Sequence, residues 1–316
     1  MIAALLLALT TWASEPPPAD DRFALVITGA PGGDTFVQTY ATWERNLSNA
    51  LRDRLGFPSD HVKVLSGATT DAEQSTQQNV RQAIASLKAR MGRQDLLLVV
   101  LMGHGTVDDG QAKFNLVGPD LTSADWGELL RDMPGRLVLV NTTGGSFPFL
   151  ADLSARGRVV ITATQSMAQK YDTVFPERFV AALTDPAADL DKNGRVSVWE
   201  LFVSASRSVA SHYEREGLLT TERAMLDDTG DGTGIELDGQ GADGALARAT
   251  YLERDPVAST ADPEVVELLT RRRELEERAE ALKLRKGTMP REEWDREFEA
   301  LMIDLARVSR RIRSRS

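Results

Sequence analysis

The chain has 316 residues, 42% of them hydrophobic and 27% charged, which is enough to bury at least one full core and is unlike a disordered composition. Its 37 basic and 47 acidic residues leave a net charge of −10, which repels a phosphate backbone and excludes wholesale nucleic-acid binding without a local basic patch; none lies before residue 270. The absence of cysteine excludes disulfides, thiolate metal sites, iron–sulfur clusters, lipid-modified cysteine and a thiol nucleophile.

Residues 1–9, MIAALLLAL, form an apolar run of signal-peptide length, followed by a short polar stretch and the proline-rich EPPPADD. A spanning helix needs about 20 apolar residues, so this run is too short to be an anchor. Residues 1–14 are therefore expected to be a secretory signal ending near Ala13 or Ser14, with 15–21 as a linker, which makes the protein an exported one, periplasmic or extracellular. No other stretch is apolar enough for a membrane span.

From residue 22 to about 255, short β-rich apolar runs alternate with helix-period segments: 23–28, then 36–55, 62–65, 80–91 and 96–102. That alternation implies βαβ units and a mainly parallel sheet covered on both faces. Residues 124–133 are amphipathic, and 137–140 and 159–162 are continuous apolar runs of the kind that fill central buried strands. Five strands are expected in an α/β domain.

Ligand crevices of such sheets open beyond the carboxyl ends of the strands, so the residues after each run carry the functional expectation. Three ends stand out: the glycine-rich turn 29–34, Gly103-His104-Gly105, and Asn141-Thr142-Thr143-Gly144-Gly145-Ser146. His104 is one of three histidines, with His61 and His212, and the flanking glycines would let a ligand approach its ring.

Residues 189–200, DLDKNGRVSVWE, fit a twelve-residue calcium loop at every informative position. Calcium takes six to eight oxygens, and the loop offers the side chains of Asp189, Asp191 and Asn193, the Arg195 carbonyl, Ser197 directly or through water, and a bidentate Glu200. The plain alternative is a polar loop that caps a helix. A second acidic turn, with Asp227, Thr229, Asp231 and Asp238 as candidate ligands, reads either as another calcium loop or as turns whose aspartates bond their own backbone.

Residues 262–314 change in texture, rich in Arg, Glu, Leu and Ala. Val265, Leu268, Arg272, Leu275, Ala279 and Leu282 step by three and four, as do Trp294, Phe298, Leu301, Leu305, Val308 and Ile312, with a Gly and Pro break at 286–290. A coiled-coil-like helical hairpin is expected, packed on the main domain or used for self-association.

Met102-Gly103-His104-Gly105, followed by Val140 to Ser146 with Thr143 39 positions after His104, resembles the caspase-fold peptidases, and within them the legumain-like branch. The resemblance is closer still to exported bacterial members of that branch that lack the catalytic cysteine. It covers about 23–238, including the turn at 29–33, the stretches 114–121, 159–164 and 221–228, and the calcium loop. It implies a three-layer α/β sandwich, with His104 in the place of the catalytic histidine, Asn141 in that of an acidic residue, and Thr143 in that of the nucleophilic cysteine, Thr142 being the second choice.

An aliphatic hydroxyl needs a strong, well-oriented base where a thiol does not. Asp108, Asp109 and Asp120 are the sequence candidates for orienting His104, and Thr142, Thr143 and Ser146 for a nucleophile, with helix capping near Phe147 as the plain role of those hydroxyls. The leading expectation is a calcium-binding, catalytically degenerate scaffold that takes a peptide or protein ligand in the former crevice. The alternatives are a hydrolase using His104 and Thr143, with an oxyanion site at Gly103 to Gly105 and Gly144, and an adaptor acting through the helical tail. A carboxylate bonded to His104 would favour the hydrolase; a crevice filled by the chain itself would favour the scaffold.

Overall fold

The computed structural model describes residues 21–239, 241–253, 262–285 and 289–314. The expected signal sequence, nearly all of the linker and most of the break at 286–290 lie outside these residues. Among the described residues, no helix is long and apolar enough to cross a membrane.

The main sheet has six strands: β1 (Arg22–Thr28), β2 (Val62–Leu65), β3 (Leu96–Met102), β7 (Arg136–Asn141), β8 (Arg158–Thr162) and β9 (Met225–Asp227), in the order β2-β1-β3-β7-β8-β9. The first five are parallel, and β9 closes one edge antiparallel to β8. The five runs read from sequence are these parallel strands. They are legible because a central strand covered on both faces is apolar at every position, and β3, LLLVVLM, is buried throughout.

Alternate side chains divide between two cores. Ala24, Val26, Leu98 and Val100 face helices α1 (Asp34–Asn49), α5 (Phe175–Ala182), α6 (Val198–Arg215) and α7 (Ala245–Ala249). Leu25, Ile27, Val99 and Leu101 face α2 (Gln77–Arg90), α3 (Ser123–Leu130) and α4 (Pro148–Leu153) on the other side. Helix, sheet and helix form the three layers. The helix expected over 36–55 runs from Asp34 to Asn49 and ends in a π turn, Ala50–Arg54.

A second sheet departs from the expectation. Strands β4 (Gly105–Asp108), β5 (Gln111–Phe114) and β6 (Leu121–Thr122) form an antiparallel flap directly after His104. Asp108 pairs with Gln111 across the two-residue loop Asp109-Gly110, and both loop residues have positive φ, 47° and 77°, as a tight hairpin turn requires.

Helices α8 (Pro263–Leu284) and α9 (Arg291–Arg313) run antiparallel: Trp294 Nε1 donates to the Leu282 carbonyl at one end, and Arg311 pairs with Glu264 at the other. Leu275, Ala279, Leu282, Trp294 and Leu301 bury a core of their own, apart from the two cores of the sheet domain. Arg272, which the periodicity places on the seam, instead faces the 189–200 loop and donates to the Asn193 carbonyl at 3.3 Å.

Candidate functional site

The strand order reverses between β1 and β3, so the loops leaving their carboxyl ends diverge and open a crevice, the position where α/β sheets bind ligands. His104 follows β3 there. Its Nδ1 lies 2.8 Å from Asp172 Oδ1 and its Nε2 3.2 Å from the Pro31 carbonyl in the glycine-rich turn after β1. Phe36 and Tyr40 of α1 pack edge-on against the ring, with centroids at 4.5 and 5.7 Å. Burial, with the Asp172 charge nearby, pushes the Tyr40 hydroxyl well above the ordinary phenol range.

Asp172 is the partner that the sequence did not disclose. It lies 68 residues from His104, in the loop between β8 and α5, and no spacing pattern links the two. The general signal was its place beyond the carboxyl end of a core strand. The three sequence candidates serve elsewhere: Asp108 pairs with Lys113, Asp109 forms the hairpin turn, and Asp120 accepts from the Leu116 amide.

The hydroxyls after β7 are all buried and all engaged. Thr143 Oγ1 donates to Asn141 Oδ1 at 2.8 Å, and the Thr143 amide reaches the same oxygen at 3.1 Å. Both groups are donors, which fixes the Asn141 amide with its oxygen toward Thr143 and leaves its buried Nδ2 without a hydrogen bond. Thr142 Oγ1 donates to the Leu101 carbonyl, and Ser146 Oγ accepts from the Ala163 amide and meets Thr164 Oγ1. No side chain caps α4, so the expected capping role is not theirs. Thr143 packs against Gly105, the residue after His104, yet no hydrogen bond joins its hydroxyl to the imidazole.

The segment 165–172 lies over the turn after β7. The Gln169 carbonyl accepts from the Gly145 amide at 2.6 Å, and the Tyr171 carbonyl packs so closely on Gly144 that any Cβ there would collide with it. Thr173 Oγ1 also donates to the Thr142 carbonyl. The buried Glu222 holds this segment from behind by accepting from the Val174 and Phe175 amides at 2.8 and 3.4 Å. Burial raises the Glu222 carboxyl above its usual range, against the effect of those amides.

A second candidate site follows α5 in the chain, as Asp172 precedes it. Loop 189–200 joins α5 and a 3-10 turn, Pro186–Ala188, to α6. Gly194 turns the chain at φ 87°, in the left-handed region that glycine adopts without strain. Asp189, Asp191 and Glu200 each bring a carboxylate oxygen within 4.8 Å of the others, a cluster able to hold a metal ion. The carboxylates also order the loop: Asp189 accepts from the Asn193 and Gly194 amides, and Glu200 from Leu190 and Asp191. Ser197 and Glu200 form a reciprocal capping box at the start of α6, so cap and cluster use the same residues. Burial first, and then the Glu200 charge, push the Asp191 carboxyl up to about 6.

The acidic turn at 227–238 is built differently. Asp227 accepts from the Gly230 and Gly232 amides and from Ser154 Oγ, and Asp231 accepts from the Thr233 amide. Asp228 holds the amides of Gly244 and Ala247, and Asp243 those of Asp228 and Thr229. These aspartates bond the backbone of their own turns, and among the described residues the group of three carboxylates close enough together to hold a metal ion is Asp189, Asp191 and Glu200.

The class of structure is thus a mixed α/β domain with a mostly parallel six-stranded sheet between helical layers. No protein-family model and no curated protein matches the chain. Among solved structures it is similar to a structural-genomics protein of Geobacter sulfurreducens, with TM-score 0.46 and 12% identity, covering 74% of this chain and 99% of that one. It is also similar to caspase-1 of Spodoptera frugiperda, with TM-score 0.44 and 11% identity, covering 66% of this chain and 86% of that one.

Proposed function

We propose that this chain is an exported, calcium-binding protein with a caspase- or legumain-like sandwich that does not hydrolyse peptides and takes a peptide or protein ligand near its former catalytic crevice. The carrying observation is the bond from Thr143 Oγ1 to Asn141 Oδ1 at 2.8 Å. A serine-type nucleophile must give its proton to the base, and here the hydroxyl is turned to a neutral amide oxygen while His104 Nε2 faces the Pro31 carbonyl. The crevice floor at Gly144 and Gly145 is also covered by the chain's own carbonyls.

One observation favours the hydrolase instead. The 2.8 Å contact between His104 and Asp172 is the base–orienter pair that such chemistry uses. The two halves of the test therefore point apart, and we weight the nucleophile side, because an oriented base without a proton to take performs no transfer.

Calcium would be held by Asp189, Asp191, Asn193, the Arg195 carbonyl, Ser197 and Glu200. Binding only the folded state, it would stabilise the protein by mass action. In this reading the α8–α9 pair is a hairpin appended to the sandwich.

Turnover tests the proposal. Residues 15–316 are incubated with calcium and a mixed peptide library, and products are read by mass spectrometry beside Thr143→Ala and His104→Ala. No cleavage, together with a calcium-dependent rise in Tm, supports the scaffold; cleavage lost in both variants establishes a threonine-dependent hydrolase in its place.

A further inference from the structure

Helices α8 and α9 bury a core of their own, and separate contacts join them to the sheet domain. One of them falls on the 189–200 loop. Asn193, at its fifth position, is held from three directions: Oδ1 accepts from the Arg195 amide at 2.8 Å, Nδ2 donates to Asp191 Oδ2 at 3.0 Å and to the Tyr251 hydroxyl at 3.3 Å, and its carbonyl accepts from Arg272 of α8.

Tyr251 extends the connection. It forms an antiparallel bridge with Ser197, the ninth loop residue, and the Arg195 guanidinium stacks 3.8 Å from its ring centroid. Arg272 also pairs with Glu276 at 3.4 Å, with both side chains largely buried. Between loop and helices lies a cavity of about 520 Å³ lined by Asp191, Asn193, Glu200, Tyr251, Glu276 and Leu305.

We infer that the α8–α9 pair is docked in response to the loop: a divalent cation held at 189–200 tightens the seating of the pair through Asn193, Arg272 and Tyr251. The inference rests on the calcium reading proposed above. A cation drawing on the Asn193 side-chain oxygen and the Arg195 carbonyl would fix the two residues that reach outward: the Asn193 carbonyl accepts from Arg272, and the Asn193 side-chain amide and the Arg195 guanidinium meet Tyr251. Cation and helix pair then select the same loop conformation. Coupling of this kind is reciprocal, so whatever factor calcium adds to docking, docking adds to calcium affinity.

Hydrogen exchange of the full chain with calcium or with chelator, and calorimetric titration with calcium, test it together. Calcium should protect 189–200 and slow exchange in α8 and α9 by about tenfold, within the usual range of such couplings. Arg272→Ala should abolish the protection of α8 and α9 and weaken calcium affinity about fivefold. Tyr251→Phe, which removes one hydroxyl and leaves the ring, should weaken both partially and guards against a simple folding defect in the first variant. Calcium binding that protects the loop and leaves α8 and α9 unchanged would overturn the coupling while leaving the calcium reading intact. No binding by the wild-type chain would overturn both.

Discussion

His104 and Asp172 face each other at 2.8 Å across the mouth of the crevice, while Thr143, close to the same histidine in the fold, spends its hydroxyl proton on Asn141. The histidine is thus paired with a carboxylate, and the nearby hydroxyl is bonded to an amide oxygen. This predicts the behaviour of Thr143→Cys, which places a thiol there without adding volume. Thr143 is 1% exposed, and a buried thiol away from a cationic partner is inert. The variant should resist iodoacetamide in the folded state, react on unfolding, and cleave no peptide. Fast alkylation of the native variant together with cleavage would show that His104 reaches position 143 after all.

Gly144 is held under the Tyr171 carbonyl, and Gly145 donates to Gln169. Gly144→Ala must move backbone rather than a flexible side chain, so it should destabilise the fold by about 2 kcal/mol, the middle of the range for overpacking. A urea midpoint unchanged from wild type would mean that segment 165–172 does not lie over the turn.

Glu222 makes a related prediction from behind the same segment. Its carboxylate accepts from Val174 and Phe175, and alanine would leave those buried amides without an acceptor, at a cost of about 1–3 kcal/mol. Glu222→Gln keeps one acceptor oxygen and should lose less. Because segment 169–173 carries Asp172, the alanine variant should also expose Tyr171 and its neighbours to proteolysis sooner than the glutamine variant does. Equal cleavage rates in the two would place the anchoring elsewhere.

The parts of this architecture that could be read from sequence are those whose signal is local. The parallel strands announce themselves as short apolar runs, continuous in β1, β3, β7 and β8 because both faces are buried and broken by Lys63 in the edge strand β2, and the acidic cluster of loop 189–200 because its carboxylates recur at close spacing around Gly194. The flap and β9 leave little local signal: β9 is three residues long, and the first two flap strands are four residues each around a two-residue turn. Asp172 could not be chosen over Asp108, Asp109 or Asp120, because contact with His104 across 68 residues is made by the sheet order. Arg272 falls on the helix seam by period for the same reason. Its period is that of the buried face, and only the placement of the loop turns it toward Asn193.

The acidic loop carries a pH prediction with a definite sign. Burial and the Glu200 and Asp189 charges push Asp191 up to about 6, whereas an unfolded aspartate titrates near ~3.9. The folded chain therefore binds this proton more tightly than the unfolded one, so without calcium its contribution favours folding below about pH 4 and is lost as pH rises toward 6. Asp191 reaches solvent, so the effect is screened to the order of 1 kcal/mol. In the proposed calcium site the cation would replace the proton as the counter-charge, and its increment in Tm should be small at pH 5 and full at pH 7.5. Asp191→Asn should raise Tm in chelator at pH 7.5 and abolish the calcium increment. Thermal melts at the two pH values with calcium and with chelator check both statements, and an increment of equal size at pH 5 and 7.5 would remove Asp191 from the calcium site.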